Sequence, residues 1–202
     1  MWPWRRLAHA DSVRQRPFLL ATFAFTVSSL AVSKSIRAYL ALGGNLGDRA
    51  AMLRGAVAAL RRTSGVRVVA ESSVYETEPV GGPEQPKYFN MVVAVDTELA
   101  PEALLDRCLA IEANHGRVRR ERWGARTLDI DLLCHGDTVV RSGRLTLPHP
   151  RIADRAFVLV PLAEIAPELR VGESTAKELA ARVDCGGIRK LVASDCEATQ
   201  AG

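Results

Sequence analysis

The amino-acid sequence predicts a single α+β domain, in which helices pack on an antiparallel sheet. Two observations carry this prediction. First, the chain of 202 residues is 48% hydrophobic and 25% charged, proportions that are typical of one globular domain and exclude a disordered chain. Second, from about residue 35 onward, short apolar strands alternate with segments of helical periodicity, and glycine or proline marks most of the boundaries between them.

The first two predicted elements are a strand and a helix. The run RAYLAL, residues 37–42, is typical of a short buried strand, and the Gly-Gly pair at 43–44 is expected to make the sharp turn that ends it. A helix is predicted from about Asp48, whose negative charge suits the first turn of a helix, to the Ser-Gly pair at 64–65. Its buried stripe recurs at the helical period: Ala50, Leu53, Val57 and Leu60.

Three further strands and a second helix complete the predicted core. The strands are expected over 66–75, 88–95 and 127–133, and the helix over 101–116. The Gly/Pro-rich stretch 79–86 is too long for a hairpin turn, so we interpret it as a functional loop. The order βαββαβ is that of the ferredoxin-like split unit, an antiparallel sheet with its helices on one face.

The chain outside this core falls into three parts. Two short extra strands and two C-terminal helical segments are expected, over 139–140, 145–147, 152–157 and 175–183. The domain is therefore predicted to span 35–192, and 193–202 to be a loose tail. We expect residues 1–34 to lie outside the fold.

The segment 1–34 is basic and contains an apolar stretch from Phe18 to Val32. A membrane-spanning helix needs about 20 apolar residues, and this stretch is shorter. A basic start followed by an apolar run also suits a weak signal peptide. The third alternative is an upstream translation start, with the natural protein beginning near Val32.

The charge distribution argues against a broad nucleic-acid-binding surface. Segment 1–34 holds five basic residues and one acidic residue, so the remaining 168 residues carry 22 of each and are neutral. Binding to nucleic acid through a broad patch needs a cationic excess. The four cysteines show no paired spacing and are expected to be free thiols, with Cys108 and Cys134 in the core.

The densest chemical signal is the stretch RVRRERWGARTLDIDLL, residues 117–133. Residues i and i+2 of a strand point to the same face, so Asp129 and Asp131 project together, and carboxylate oxygens suit Mg²⁺. Five arginines precede this pair within ten residues, a combination that suits a polyphosphate carried on Mg²⁺. No P-loop and no dinucleotide-binding fingerprint occurs in the sequence.

This stretch resembles the signature of the 6-hydroxymethyl-7,8-dihydropterin pyrophosphokinases, a family of folate biosynthesis, and the resemblance extends over about residues 36–191. It includes the opening Gly-Gly-Asn-Leu-Gly-Asp at 43–48, the Tyr-Glu-Thr at 75–77 and the Gln-Pro-Lys-Tyr-Phe-Asn at 85–90. The later motifs that match are Leu-Pro-His at 147–149 and Arg-Ala-Phe at 155–157.

The resemblance implies that ATP gives its pyrophosphoryl group to the pterin hydroxymethyl group, leaving AMP, with two Mg²⁺ ions on Asp129 and Asp131. The residues implied at ATP are Glu112, Arg117, Arg119, Trp123, Arg126, Leu132, Thr146, His149 and Arg155. Those implied at the pterin are Thr77, Val80, Tyr88, Asn90, Trp123, Asp129 and Phe157. The catalytic residues implied are Arg117, Arg126, Asp129 and Asp131. The resemblance also implies a cytoplasmic enzyme that binds no nucleic acid and has no stable membrane association, and we expect a monomer.

A ferredoxin-like nucleic-acid-binding module without catalysis is the alternative interpretation. Such a module would carry aromatic residues on two central strands and a basic face. Mg²⁺-dependent ATP binding would distinguish the enzyme from this module.

Overall fold

The structure is a computed structural model, and it describes residues 35–81, 84–117 and 124–192. Its elements follow one another as β1 (Ile36–Gly44), α1 (Arg49–Arg62), β2 (Val66–Glu71), β3 (Tyr75–Thr77), β4 (Tyr88–Thr97), α2 (Pro101–Asn114), β5 (Asp129–His135), β6 (Val140–Arg141), β7 (Thr146–Leu147), α3 (Ala156–Ile165), β8 (Arg170–Val171), β9 (Ser174–Thr175), α4 (Ala176–Ala180) and β10 (Ile188–Lys190). The predicted α+β class is confirmed. The predicted N-terminal extension 1–34 and the tail 193–202 lie outside the described residues.

The main sheet has the strand order β10-β3-β4-β1-β5, and β2 also pairs with β4. All of these pairs are antiparallel. The single strand predicted over 66–75 is wrong, because β2 and β3 are separate strands that both pair with β4. Between them, the hydroxyl oxygen of Ser72 accepts the hydrogen bond of the Val92 amide at 2.9 Å. A side chain thus takes the place of a backbone acceptor, and the regular ladder is interrupted.

The Gly-Gly pair at 43–44 lies inside β1 and makes no turn, contrary to the prediction. A Cβ atom on Gly44 would lie 2.2 Å from the carbonyl oxygen of Thr127, and one on Gly43 would lie 2.5 Å from the side-chain oxygen of Asn90. These glycines therefore permit close approach of neighbouring chain segments. The turn that follows uses Gly47, at φ 65°.

The sheet is covered by helices on both faces. On one face, residues of α1 and α2 such as Leu60 and Leu104 share a core with Met91 of β4. On the other face, Leu162 of α3 packs in a second core with Val92 of β4. The two helices of the predicted βαββαβ unit, α1 and α2, therefore lie on one face as expected, and the additional C-terminal helix α3 covers the other face. Strand β4 is accordingly buried along almost its whole length, with neither face exposed to solvent.

The helix α3 covers the second face, and its position differs from the prediction. Helical segments were expected over 152–157 and 175–183, whereas the structure has a 3-10 turn at Ile152–Asp154, then α3, and a shorter α4. The sequence of α3, AFVLVPLAEI, is apolar almost all round and contains Pro161, so it shows no amphipathic stripe.

Two smaller observations complete the fold. Cys108 and Cys134 are buried free thiols, as predicted. Among the residues that the structure describes, no helix combines the length and the apolar character needed to cross a bilayer.

Candidate active site

A cavity of about 580 Å³ opens at one end of the main sheet. The C-terminal ends of β1 and β3 lie there beside the N-terminal ends of β4 and β5, because neighbouring strands are antiparallel. The start of α3 and the segment that leads into β10 close the remaining sides. Side chains that lie far apart in the sequence therefore converge on one space.

Asp129 and two arginines form the centre of the charged end of this cavity. One Asp129 carboxylate oxygen lies 2.6 Å from Arg117, and the other lies 2.5 Å from Arg126. Asp129 is the first residue of β5, and Arg126 stands three residues before it. The two arginines neutralise this carboxylate when no other ligand is bound.

Asp131 faces the same side of β5 and has a weaker partner. Arg155, which precedes α3, lies 3.4 Å from its carboxylate. Partial burial and the nearby charge of Asp129 raise the pKa of Asp131, and His149 and Arg155 oppose that rise. Partial burial also lowers the pKa of His149, although the charge of Asp131 acts in the other direction. Asp129 is thus held by two short ion pairs, whereas Asp131 has one longer contact, with Arg155.

Glu112, on α2, lies beneath the charged end and does not line the cavity. Its side chain is only 3% exposed, accepts a hydrogen bond from the Ile130 amide at 2.7 Å and forms an ion pair with Arg117. Burial raises the pKa of Glu112, and the Ile130 amide and Arg117 oppose that rise. Glu112 therefore anchors Arg117 against the sheet.

The other end of the cavity, called here the neutral end, is lined mainly by uncharged side chains, although Glu78, next to Thr77, also lines the cavity. The amide nitrogen of Asn90 donates to the hydroxyl of Thr77 at 2.7 Å, across the pair β3–β4. The Tyr88 hydroxyl donates to the side-chain oxygen of Gln85 at 3.1 Å. Phe157 also lines this cavity, from the first turn of α3. An aromatic ring and a hydrogen-bonding amide together suit a flat heterocycle.

Asn45 connects the two ends. Its side-chain oxygen accepts from the Arg126 amide at 2.8 Å, and its amide nitrogen donates to the Gln85 side chain and to the Pro86 carbonyl, both at 3.0 Å. It is buried and was not predicted as a site residue. Its one signal in the sequence is its place directly after the Gly-Gly pair.

The structure brings together most of the residues predicted for the site. Those that line the cavity are Thr77, Val80, Tyr88, Asn90, Arg126, Asp129, Asp131, Arg155 and Phe157. Those that do not line it are Glu112, Arg117, Leu132, Thr146 and His149. Leu132 is part of the core between the sheet and α1 and α2, and Thr146 is exposed on β7. Arg119 and Trp123 lie outside the described residues.

Other lining residues were not predicted from the sequence. They include Arg151 and Asp154, before α3, and Asp184 and Gly186–Ile188, before and within β10. None belongs to a motif whose spacing points to a site. Their position follows from the pairing of β10 with β3, which joins segments more than a hundred residues apart.

Asp129 and Asp131 are the residues best suited to hold a metal ion. In the described ranges, no three His, Cys, Asp or Glu side chains converge into a metal site. Two carboxylates nevertheless fit Mg²⁺, because this ion is commonly bound through one or two carboxylates together with water and substrate phosphates. The donor set therefore suits Mg²⁺ that arrives with a phosphate ligand.

Comparison with known proteins gives one consistent family. A sequence profile of the family 7,8-dihydro-6-hydroxymethylpterin-pyrophosphokinase (HPPK) matches residues 39–167. A relative from Methylorubrum extorquens is 54% identical over 155 residues, which are 77% of this chain and 98% of the relative. One from Pseudomonas aeruginosa is 44% identical over 156 residues, which are 77% and 96%. Both are named 2-amino-4-hydroxy-6-hydroxymethyldihydropteridine pyrophosphokinase.

Solved structures show the same fold at low sequence identity. Wild-type HPPK-DHPS of Plasmodium falciparum with pterin and p-hydroxybenzoate superposes with a TM-score of 0.59 at 17% identity, over 74% of this chain and 43% of that one. The A437G variant with pteroate gives 0.58 at 16% identity, with the same coverage. This chain thus spans less than half the length of those proteins, and the likeness concerns the fold alone.

Proposed function

The chain belongs to the 7,8-dihydro-6-hydroxymethylpterin-pyrophosphokinase family, and from that premise we propose that the charged end of the cavity holds the phosphates of ATP and the neutral end holds the pterin. The chain is an enzyme that transfers the pyrophosphoryl group of ATP to 6-hydroxymethyl-7,8-dihydropterin in folate biosynthesis. The products are the pterin diphosphate and AMP. The single observation that supports the assignment of the two ends is that one cavity is lined by Asp129, Asp131, Arg126 and Arg155 and also by Tyr88 and Asn90.

At the charged end, Arg117, Arg126 and Arg155 are the proposed ligands of the triphosphate. Each of them pairs with an aspartate in the structure. Binding of ATP would exchange these partners, since phosphate oxygens then take the guanidinium groups. Arg119, Trp123 and His149 are proposed to act at the same ligand on the strength of the family motif.

Asp129 and Asp131 are the proposed ligands of two Mg²⁺ ions that enter with ATP. Bound Mg²⁺ would supply neutralisation of the phosphate charge that develops during transfer. Both carboxylates stand on strand β5. Asp129 holds Arg117 and Arg126, and Asp131 holds Arg155, so the three proposed phosphate ligands are kept at this end.

The transfer forms a bond between the pterin hydroxymethyl oxygen and the β-phosphorus of ATP and breaks the bond from that phosphorus to the oxygen shared with the α-phosphate. The hydroxymethyl proton is released, and AMP leaves with the bridging oxygen. Such a reaction needs alignment and charge stabilisation more than covalent chemistry from the protein. A site built from arginines and aspartates, with no nucleophile, suits it.

At the neutral end, the pterin ring is proposed to lie between Tyr88 and Phe157. Asn90, and the backbone of Thr77 and Val80, would form hydrogen bonds to its edge. Val80 is 69% exposed and lies at the rim, where it can cover a ligand. The buried Asn90 amide is held by Thr77 before any ligand binds, so its orientation is already set.

We further propose that the enzyme is a cytoplasmic monomer without nucleic-acid partners, because its substrates are metabolites and the chain after residue 34 is neutral. The family assignment does not favour the alternative of a nucleic-acid-binding module.

The experiment that tests the reaction is product analysis. The full chain, incubated with ATP, Mg²⁺ and the dihydropterin alcohol, is expected to release AMP and pterin diphosphate in equal amounts. Omission of the pterin is the control and should leave ATP intact. Chromatographic detection of ADP as the main nucleotide product would contradict the function.

A further inference from the structure

The last strand of the structure forms one wall of the cavity. Gly186 and Gly187 line it directly, and β10 follows with Ile188 as a further lining residue. Among the described residues, strand β10 pairs with β3 alone, with Ile188 opposite Thr77 and Lys190 opposite Tyr75. It is a strand of three residues, so backbone pairing alone holds it weakly. Other contacts must define its position.

Glu164, near the end of α3, supplies such contacts. Its carboxylate accepts hydrogen bonds from the Ser73 amide at 3.0 Å, the Ser73 hydroxyl at 2.8 Å and the Tyr75 hydroxyl at 3.0 Å. The same carboxylate accepts from the Lys190 ammonium group of β10 at 2.9 Å. One side chain therefore joins α3, β10 and the start of β3.

Each of the three elements joined by Glu164 contributes to the neutral end of the cavity. Strand β3 carries Thr77, two residues after Tyr75, and β10 carries Ile188, two residues before Lys190. Helix α3 carries Phe157, seven residues before Glu164, which places both side chains on one face of the helix. Glu164 itself is not a lining residue.

We propose that Glu164 is a positioning residue for the pterin: it sets α3, β3 and β10 relative to one another, so that Phe157, Thr77 and Ile188 face the same ligand. An ionised carboxylate accepts hydrogen bonds only, so it satisfies four donors at once. A glutamine at the same place keeps one acceptor oxygen but turns an NH₂ group toward these donors. Glu164→Gln therefore breaks the junction with little change in volume.

An ordinary surface ion pair is the competing explanation. The Glu164 side chain is 28% exposed, and pairs of this kind contribute little to stability. If Glu164 only stabilises the fold, its loss will affect binding of both substrates alike or neither. If it positions the pterin end, its loss will weaken binding of the pterin more than binding of ATP, because Arg117 and Arg126, two of the three proposed triphosphate ligands, lie outside the elements that Glu164 joins. The two explanations therefore differ in a measurable way.

The test measures the KM of each substrate, kcat, and the dissociation constant of the pterin by fluorescence titration, for the wild-type full chain and Glu164→Gln. We expect the pterin KM and Kd to rise about three- to tenfold, a change of about 0.7–1.4 kcal/mol. The ATP KM and kcat should change less than twofold. Glu168→Gln, an exposed glutamate four residues further along with no side-chain contact in the described structure, is the matched control and should behave as wild type.

Two further variants test the Glu164 junction by removing its hydrogen-bond donors one at a time, so that the result does not depend on a single variant. Lys190→Gln and Tyr75→Phe each remove one donor of the junction and should raise the pterin KM in the same direction, by less than Glu164→Gln. The ionisation of Tyr75 gives a spectroscopic check: burial, and then the hydrogen bond to Glu164, raise its pKa to about 12. In Glu164→Gln this pKa should fall, because the negative charge is gone.

The inference rests on the proposed place of the pterin, and the outcomes separate the two. If Phe157→Ala leaves the pterin Kd unchanged, the placement of the pterin is wrong. The positioning role of Glu164 is wrong if Phe157→Ala weakens binding of the pterin but Glu164→Gln does not. It is also wrong if Glu164→Gln weakens binding of ATP as much as binding of the pterin.

Discussion

The two ends of the cavity are prepared for their ligands in different ways. At the charged end, Asp129 is paired with Arg117 and Arg126, and Asp131 with Arg155. At the neutral end, Asn90 and Thr77 form a hydrogen bond to each other, and Tyr88 and Phe157 line the same cavity.

The two ends therefore differ in the free-energy cost of binding their ligands. At the charged end, the aspartates and arginines already pair with one another, so a phosphate ligand with Mg²⁺ would have to exchange these ion pairs for new ones. At the neutral end, the hydrogen bond between Thr77 and Asn90 already orients the Asn90 amide, which would limit the entropy lost when the proposed pterin ligand binds. Variants at the two ends should therefore fail in different ways.

The largest expected effect is on turnover at the charged end. Asp129→Asn and Asp131→Asn should each lower kcat by about a hundredfold or more, because each removes a proposed anionic ligand of Mg²⁺ and electrostatic stabilisation of this kind is worth several kcal/mol. Steady-state kinetics at saturating substrates measures it. Asp137→Asn, an exposed aspartate just after β5, is the control. Near-normal turnover in both site variants would mean that the pair is an ordinary strand surface.

The second prediction concerns the free energy of unfolding and compares Arg117 with Arg126 at the charged end. Arg117→Ala should lower the free energy of unfolding by about 3 kcal/mol, because it leaves the buried Glu112 carboxylate without its ion pair. Arg126→Ala should cost less, since Asp129 keeps Arg117. Urea denaturation of both variants measures the difference.

The pH dependence of the Arg117→Ala deficit gives a further check. The pKa of Glu112 is already raised in the folded protein, so the protonated form is favoured there. The stability linked to this group is present below its ordinary pKa and is lost as pH rises through the raised value. The deficit should therefore shrink toward acid pH, and equal deficits for the two arginines at neutral pH would contradict the anchoring role of Glu112.

The third effect belongs to the neutral end. Asn90→Ala should raise the pterin KM about tenfold, the equivalent of one good hydrogen bond, and leave the ATP KM within about twofold. Thr77→Val, which keeps the shape but removes the partner of Asn90, should give a smaller change in the same direction. Initial rates, measured with each substrate varied in turn, give both KM values. An equal rise of the two KM values would contradict the assignment of the pterin to this end.

The smallest effect is expected from the N-terminus. No described residue that lines the cavity precedes Ala41. A chain shortened to residues 32–202 should keep the kcat, both KM values and the melting temperature of the full chain. A shortened protein that unfolds, or that loses most of its activity, would make the first segment part of the enzyme.

The charged end could be predicted from the sequence, and the second face of the fold could not. Asp129 and Asp131 stand two residues apart on a strand, so local geometry alone places them together. The arginines before them are close in sequence as well. By contrast, α3 shows no amphipathic stripe because its sequence is apolar almost all round. The separation of β2 from β3 involves Ser72, whose side chain bonds to Val92, and a shift of the pairing register with β4.

The sequence by itself determined what depends on neighbours along the chain: the alternation of strands and helices, the face shared by Asp129 and Asp131, and the motifs that identify the family. Only the tertiary structure decided what depends on segments far apart. Gly44 had to be small because Thr127 approaches it, Asn45 joins two loops, and Glu164 joins α3 to β3 and β10. The physical reason is that periodicity records which face of an element is buried, whereas hydrogen bonds and close contacts record which element it meets.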